Sequence, residues 1–374
     1  MAEFLYIHIP FCVKKCVYCD FLSIPYTEAL AQSYTDALCK ELQMKKGLAE
    51  RLKTVFMGGG TPSILTDKCL DEILTCINEN YNLTSNAEIT VEANPGTLTK
   101  AKVGTLLSRG VNRLSLGIQS FDNSELRTLG RIHDAEAAIT SVEIVRSGGM
   151  KNFSLDLMYG IPGQTMTTWK HSLDQAVALS PRHISAYELT PEPETPLKRS
   201  LDRGDSRMPG DELILGMADL TIDRLAASGY EQYEISNYAQ PGYRSAHNMN
   251  YWDRGDYLAA GAGAHGFIRG YRIRNTSDIT EYLEKLSNNV DPAVEKTEIS
   301  CEDALKEFIF LGLRKVEGIR LVDAAELDLK LPEAGAAMIK DGFLEITETH
   351  IRLTRKGRYI ANTVIVRLLE NLGL

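Results

Sequence analysis

The sequence predicts an α/β fold: a partial (β/α)6 barrel of parallel strands, an irregular α+β extension and a C-terminal winged-helix-like domain. Over residues 1–190, short apolar runs alternate with longer amphipathic runs, at a spacing of roughly 30 residues. This alternation is lost over residues 191–299, and residues 300–374 show helical patterns followed by two short strands. We therefore expect three domains with these bounds.

The apolar runs of the first domain predict parallel strands, because short apolar runs bounded by turn residues suit strands covered by helices. These strands are expected at residues 5–9, 54–57, 88–92, 113–117, 152–157 and 183–188. Apolar residues three or four positions apart predict the helices between them, at residues 34–44, 69–80, 101–108, 135–147 and 167–179. These repeated units suit a barrel that does not close fully, and a flat doubly wound sheet is the alternative fold.

The extension opens with Pro191, Pro193 and Pro196, and a residue that precedes a proline avoids the helical region. One helix is expected at residues 212–227, followed by an aromatic and glycine-rich stretch at 230–271. In the last domain we expect helices at residues 302–313, 321–327, 331–341 and 355–372, and strands at 344–346 and 351–353. This domain carries 11 basic and 12 acidic residues, which favours a structural or lid role over nucleic-acid binding.

Composition and charge exclude several classes of protein. The formal net charge is −9, whereas a surface that binds a nucleic acid duplex needs clustered basic residues. No run of about 18 apolar residues occurs, so no integral membrane segment is expected. The start, Met1-Ala2-Glu3, lacks the basic region of a secretion signal. The seven cysteines are odd in number and unevenly spaced, which indicates a metal site in a reducing compartment, and we expect a cytoplasmic protein.

Two motifs carry the chemistry. The first, Cys12-Val13-Lys14-Lys15-Cys16-Val17-Tyr18-Cys19, follows the first predicted strand. Its three thiolates can bind three irons of a cubane and leave the fourth iron open. A zinc site is the alternative, and His8 is the nearest candidate for its fourth ligand. The second motif, Met57-Gly58-Gly59-Gly60-Thr61-Pro62, ends the second strand, where a backbone without side chains lets a ligand approach closely.

Together these motifs resemble the radical S-adenosylmethionine (SAM) superfamily, in which a C-x-x-x-C-x-x-C loop follows the first strand and an aromatic residue, here Tyr18, precedes the last cysteine. Further segments are similar, in the same order, to the oxygen-independent coproporphyrinogen III oxidase group. They are Tyr6-Ile7-His8-Ile9-Pro10-Phe11-Cys12, Gly58-Gly59-Gly60-Thr61-Pro62-Ser63, Glu92-Ala93-Asn94-Pro95-Gly96, Gly117-Ile118-Gln119-Ser120-Phe121, Leu129-Gly130-Arg131 and Asp156-Leu157-Met158-Tyr159-Gly160-Ile161-Pro162-Gly163-Gln164.

The resemblance implies a [4Fe-4S] cluster on Cys12, Cys16 and Cys19, with SAM bound at the open iron. It also implies reductive cleavage of SAM and an electron donor such as a flavodoxin or ferredoxin. Carboxylates at strand ends can bond a ribose hydroxyl or an ammonium group, and an arginine can bond a carboxylate. The residues implied to bind the cofactor are Tyr6, Gly59, Gly60, Thr61, Glu92, Gln119, Arg131 and Asp156.

Two features resemble the haem chaperone branch of this group. Phe21 stands where the oxidases carry a further cysteine, and residues 247–252 form an H-N-x-x-Y-W element. This branch implies haem as a ligand and haem-acceptor proteins as partners. His247 is then the candidate axial ligand, followed by His265, and a structural hydrogen bond is the alternative role for His247. Whether the chain is an enzyme stays open. The alternatives to a haem chaperone are an enzyme that decarboxylates coproporphyrinogen III and a binding module without redox chemistry.

Overall fold

The computed structural model describes residues 1–374, except for the side chain of Glu50. The strands are β1 (Ala2–Ile9), β2 (Phe11–Cys12), β3 (Ile24–Pro25), β4 (Ala49–Gly59), β5 (Leu83–Ala93), β6 (Arg113–Gln119), β7 (Phe153–Tyr159), β8 (His183–Glu188), β9 (Glu231–Gln232), β10 (Asn237–Ala239), β11 (Leu258–Ala260), β12 (His265–Ile268), β13 (Tyr271–Asn275), β14 (Ala293–Glu298), β15 (Ile319–Arg320), β16 (Leu344–Ile346) and β17 (His350–Leu353).

The α-helices are α1 (Glu28–Lys45), α2 (Asp67–Asn80), α3 (Lys100–Ser108), α4 (Asn123–Thr128), α5 (Ala135–Ser147), α6 (Met166–Ala178), α7 (Pro196–Asp202), α8 (Asp211–Ala226), α9 (Ala246–Trp252), α10 (Ile279–Ser287), α11 (Cys301–Gly312), α12 (Leu321–Glu326), α13 (Leu331–Ala334), α14 (Ala336–Lys340), α15 (Arg355–Tyr359) and α16 (Ala361–Leu372). Two short 3-10 helices span Lys46–Leu48 and Pro62–Ile64.

The main sheet confirms the predicted α/β fold with a partial barrel. Its strands lie in the order β11-β1-β4-β5-β6-β7-β8-β10-β9. The pairs from β11 to β8 are parallel, and β10 and β9 are antiparallel additions at one edge. Within the described residues the two edge strands do not pair with each other, so the barrel is open. The carboxyl ends of the six strands from β1 to β8 meet at one face, where barrels of this kind place ligand-contacting residues.

Five helices of the barrel begin after a residue whose side chain caps the helix N-terminus. The N-cap residue of each accepts a hydrogen bond from the backbone N–H three positions on, which satisfies a group that the helix leaves unpaired. These N-caps are Thr27 for α1, Thr66 for α2, Thr99 for α3, Asp134 for α5 and Thr165 for α6.

Two main apolar cores stabilise the chain, and a third, minor cluster of five buried residues includes Leu129, Ile161 and Leu197. The larger core contains buried residues from Ala2 to Leu286 and fills the space between the main sheet and its helices. The smaller core contains buried residues from Ile309 to Leu368 and lies around the three-stranded sheet β15-β17-β16. The extension therefore shares the core of the barrel, to which it adds β9, β10 and β11, whereas the C-terminal helices and strands have a core of their own.

Two predicted helices are interrupted. The helix expected at residues 331–341 is divided into α13 and α14 at Gly335, where a side chain would meet the Leu331 carbonyl oxygen at 3.0 Å. The helix expected at residues 355–372 is divided at Ile360, whose φ of −124° and ψ of 35° are not helical.

Among the described residues, no helix combines the length and the apolar character needed to cross a lipid bilayer.

Candidate functional site

The cysteine loop lies at the carboxyl face of the barrel. Strands β2 and β3 pair at its two ends and hold it closed, with Phe11 opposite Ile24. Cys12, Cys16 and Cys19 are free, half-buried thiols that line a cavity of about 500 Å³. The same cavity is lined by residues from the ends of β4, β5, β6, β7 and β8.

The three thiols suit a cluster better than a single ion. Among the described residues, no three His, Cys, Asp or Glu side chains stand at the spacing of a single-ion site. A cubane does not need that spacing, because each cysteine binds a different iron. His8, the candidate fourth ligand for zinc, is turned away: Nδ1 lies 3.0 Å from the Tyr6 hydroxyl and Nε2 lies 3.0 Å from the Leu22 carbonyl oxygen.

A positive charge lies beside one thiol of the loop. Arg131 Nη1 is 3.4 Å from Cys16 Sγ, while Nη2 donates to the Asn94 side-chain oxygen at 2.5 Å and to the Gly117 carbonyl oxygen at 2.7 Å. Burial raises the pKa of the Cys12 thiol, and it raises that of Cys19 to about 11. A guanidinium or an iron ion would favour the thiolate form that metal binding requires.

The glycine-rich end of β4 packs directly against β1 and against β2, the strand that contains Cys12. Gly59 has φ +107°, and a Cβ there would lie 2.4 Å from the His8 ring. A Cβ on Gly60 would lie 2.7 Å from the Phe11 carbonyl oxygen. Thr61 donates its backbone N–H to that same oxygen at 2.8 Å. These glycines thus bring the backbone against both the cavity and β1, so a larger residue would disturb the fold as well as any ligand.

Two carboxyl groups face the cavity from β5 and β7. Glu92 accepts a hydrogen bond from the Gly59 N–H at 3.2 Å, and its pKa is raised to about 8, first by burial and then by the charge of Asp156. Asp156 accepts hydrogen bonds from the hydroxyls of Ser115 at 2.9 Å and Ser185 at 2.7 Å. Burial raises the pKa of Asp156, and these hydroxyls oppose the rise.

The remaining predicted cofactor residues lie close by. Gln119 ends β6 with φ +69°, an uncommon conformation for a residue other than glycine, and it lines the same cavity. Tyr6 instead lines a second cavity of about 320 Å³ inside the barrel. The two cavities share Phe21, Glu92, Asp156 and other lining residues, so they adjoin each other.

The H-N-x-x-Y-W element forms α9, which lies inside the barrel. His247 is 1% exposed; its Nδ1 lies 2.6 Å from the Thr54 hydroxyl and its Nε2 lies 2.9 Å from the Tyr251 hydroxyl. Its ring also stacks on Phe56, and burial lowers its pKa to about 3. Both ring nitrogens are therefore occupied, contrary to what an axial haem ligand requires. The geometry favours the alternative from the sequence, a structural role, although here in a helix rather than a loop.

Known proteins resemble this chain over almost its whole length. The chain is 36% identical to "Heme chaperone HemW" of Bacillus subtilis, with 98% of this chain and 99% of that protein aligned. It is 35% identical to the HemW protein of Escherichia coli, with 96% of each aligned. The chain belongs to the HemW family. The family model of the Radical SAM superfamily matches residues 6–176 of this HemW family member, and that of the HemN C-terminal domain matches residues 299–360.

A solved structure shares the fold of the HemW family member. The coproporphyrinogen III oxidase HemN of Escherichia coli, described as a radical SAM enzyme, superimposes with a TM-score of 0.85 over 97% of this chain and 89% of that chain. The two sequences are 24% identical, so the likeness concerns the fold alone.

The sequence of this HemW family member did not predict the polar residues that form hydrogen bonds with the predicted cofactor residues. Asn94 connects Thr61, to whose hydroxyl it donates at 2.7 Å, with Arg131. Ser115 and Ser185 donate hydrogen bonds to Asp156 from the two neighbouring strands, β6 and β8. A small polar residue at an inward position of a buried strand was the available signal, because buried hydroxyls need partners.

Proposed function

We propose that this HemW family member binds haem and transfers it to acceptor proteins, and that it holds a [4Fe-4S] cluster on Cys12, Cys16 and Cys19 with SAM in the adjoining cavity. The observation that carries the proposal is its identity of about one third, over nearly the full length, to proteins named haem chaperones. Phe21, two residues after Cys19, agrees with this branch rather than with the oxidases.

The residues at the cavity fit both cofactors. Three thiols line it together, and the backbone at Gly59 and Gly60 is free of side chains. The Nε of Arg131 is buried without a hydrogen-bond partner within the described residues. When bound together, a reduced cluster and SAM supply one-electron reductive cleavage of the sulfonium group.

The chain itself would bind and orient these groups. Arg131 places its positive charge 3.4 Å from the Cys16 sulfur, beside the loop that would hold the cluster. Glu92, which is protonated more readily than a free glutamate, would lose its proton when an ammonium group binds beside it. Asp156, held by hydroxyls on two neighbouring strands, would present its carboxylate to a ribose. Tyr6, Thr61 and Gln119 complete the proposed cofactor site.

The axial haem ligand stays a prediction. For His247 to bind iron, it would have to give up its hydrogen bond with Thr54 or Tyr251, and α9 would have to move. His265, the first residue of β12, is exposed and needs no such change. We therefore rank His265 ahead of His247, the reverse of the order from the sequence.

The second candidate function is decarboxylation of coproporphyrinogen III. The fold likeness to HemN favours it, because the two chains superimpose over nearly their full length. Phe21 disfavours it, because the oxidases carry a cysteine at this position. We further propose a cytoplasmic location, an electron donor such as a flavodoxin or ferredoxin, and a separate lid or structural domain at residues 300–374.

One anaerobic preparation separates the two functions. The reduced protein with SAM should bind haem at roughly one per chain and should not decarboxylate coproporphyrinogen III. Cys16→Ala should lose iron and sulfide, whereas the matched change at the exposed Cys301 should leave the cluster intact. Haem titrations of His247→Ala and His265→Ala should shift the haem spectrum in the variant that lacks the ligand.

Turnover of coproporphyrinogen III without haem binding would overturn the chaperone proposal. Full cluster content in Cys16→Ala would overturn the assignment of the cluster ligands.

A further inference from the structure

Arg113 is a buried arginine that the proposed cofactor chemistry does not use. It is the first residue of β6, its side chain is 2% exposed, and it points into the second cavity. Its Nε is buried without a hydrogen-bond partner, and no ion pair reaches its guanidinium among the described residues. Arg113 is thus a charged side chain inside the barrel without a matching protein group.

Such a charge is costly unless something pairs with it. A guanidinium keeps its proton at any ordinary pH, so it cannot avoid the cost by becoming neutral. An unpaired charge in a protein interior is strongly unfavourable, whereas a carboxylate bound by the two-pronged guanidinium is a strong and directional pair. The barrel therefore presents an anion-binding group to whatever enters the second cavity.

The neighbouring carboxyl groups are not free to pair with Arg113. The Glu92 pKa of about 8 leaves that group mostly protonated at neutral pH. Asp156 is engaged by the hydroxyls of Ser115, Ser154 and Ser185. Neither carboxyl group lies within ion-pair distance of Arg113 in the described residues, and Arg113 in turn opposes the rise in the pKa of both.

Aromatic rings line part of the second cavity, beside the carboxyl and hydroxyl groups described above. Tyr6 and Phe56 come from β1 and β4, Tyr187 comes from β8, and Tyr251 with Asn248 comes from α9 below. The cavity opens past Phe21, whose side chain is 61% exposed at the shared mouth of both cavities. An arginine in a cavity that is partly lined by aromatic rings fits a carboxylate carried on an apolar body better than a small hydrophilic anion.

We propose that Arg113 binds one carboxylate of a tetrapyrrole, so that a propionate arm enters the second cavity while the flat ring lies at the mouth beside Phe21 and Tyr187. This inference rests on the proposed haem function and adds the group that orients haem. The same carboxylate chemistry could come from SAM, and the experiment separates these two sources.

The test uses the full chain, anaerobically reconstituted with its cluster. Haem and haem dimethyl ester, whose propionates carry no charge, are titrated into the parent, Arg113→Met, Arg113→Lys and the matched control Arg127→Met, in which an exposed arginine of α4 is replaced. We expect the parent and Arg127→Met to bind haem about tenfold more tightly than the ester. Arg113→Met should bind haem and its ester equally. Arg113→Lys should keep part of the preference for haem, because lysine keeps the positive charge but cannot form two parallel hydrogen bonds with a carboxylate.

SAM binding by equilibrium dialysis gives the second readout, and it should not change in Arg113→Met. An unchanged preference for haem over its ester in Arg113→Met overturns the inference while leaving the haem function intact. Loss of SAM binding with the haem preference retained also overturns it and assigns the carboxylate to SAM. If Arg113→Met does not retain its cluster, Arg113→Lys decides: a preference equal to that of the parent contradicts the bidentate contact. A parent that binds neither haem nor its ester overturns both proposals.

Discussion

At the scale of single residues, Glu92 and Asp156 determine the electrostatics of the cavity. They project from β5 and β7 towards the same space, and each is held by donors from neighbouring segments. Burial raises the pKa of both groups, because it keeps away the water that would stabilise their negative charge. Such carboxyl groups are poised to ionise when a cation arrives.

This gives the first prediction, for the chain without SAM. The pKa of the Glu92 carboxyl is about 4.5 in the unfolded chain, and burial raises it to about 8 in the folded protein. Between these values the folded state keeps a proton that the unfolded state has lost, so the free energy of unfolding falls as pH rises, and levels off above about pH 8. Glu92→Gln should remove roughly 2–4 kcal/mol of this fall, measured by urea unfolding from pH 5.5 to 8.5.

Asp156 titrates in the same direction and remains in this variant, so the slope should shrink rather than disappear. The exposed Glu348 provides the control, because Glu348→Gln should keep the slope of the parent. An unaltered slope in Glu92→Gln would show that Glu92 ionises normally in the folded protein.

The sequence predicted the residues with distinctive chemistry and missed those that position them. The cysteine loop and the glycine run stand out because few other structures need such spacing. Asn94, Ser115 and Ser185 are common residues, and only the register of β5, β6, β7 and β8 brings them to Thr61 and Asp156. Pairing between strands is a long-range property, and local patterns do not specify it.

At the scale of elements, α9 is the least expected feature. The pattern over residues 230–271 predicted an irregular stretch, but residues 246–252 form a helix whose first turn is held by Glu88 of β5. The Glu88 carboxylate accepts from the Ser245 hydroxyl at 3.3 Å and from the backbone N–H groups of Ala246 at 3.1 Å and His247 at 3.2 Å. A helix this short depends on such contacts, because its own hydrogen bonds do not repay the cost of nucleation.

The second prediction concerns this contact. Glu88→Ala leaves three donors without their acceptor, which should cost about 1–3 kcal/mol, mostly by loosening α9. Hydrogen exchange measured by mass spectrometry should become faster over residues 246–252, while cluster content stays that of the parent. Glu298→Ala, on the exposed strand β14, should change neither. Equal exchange over α9 in the two variants would mean that packing against Phe56 alone holds the helix.

At the scale of the whole molecule, two cores meet across a polar and aromatic interface. The Arg314 guanidinium lies 5.2 Å from the centre of the Trp252 ring, and Lys315 pairs with Asp253 at 2.5 Å. Arg254 pairs with Glu307 at 2.7 Å. All three contacts join the end of α9 or the residues just after it to the last 75 residues, so the C-terminal region braces a helix that lines the second cavity.

The separate cores underlie the last prediction. A chain of residues 1–299 keeps the whole of the larger core, and so should fold cooperatively and retain cluster and SAM binding. It should lose the contacts at Trp252, Asp253 and Arg254, so α9 should exchange faster and haem should pass more quickly to apomyoglobin.

Full-length Arg355→Ala is the control. It removes the partly exposed ion pairs to Asp219 and Asp223 and the hydrogen bond to the Tyr359 hydroxyl, none of which involves α9, and it should behave like the parent. Failure of residues 1–299 to fold would show that the barrel needs the C-terminal domain. Haem transfer at the parental rate would exclude a bracing role of this domain, because the barrel alone would then hold α9 in place.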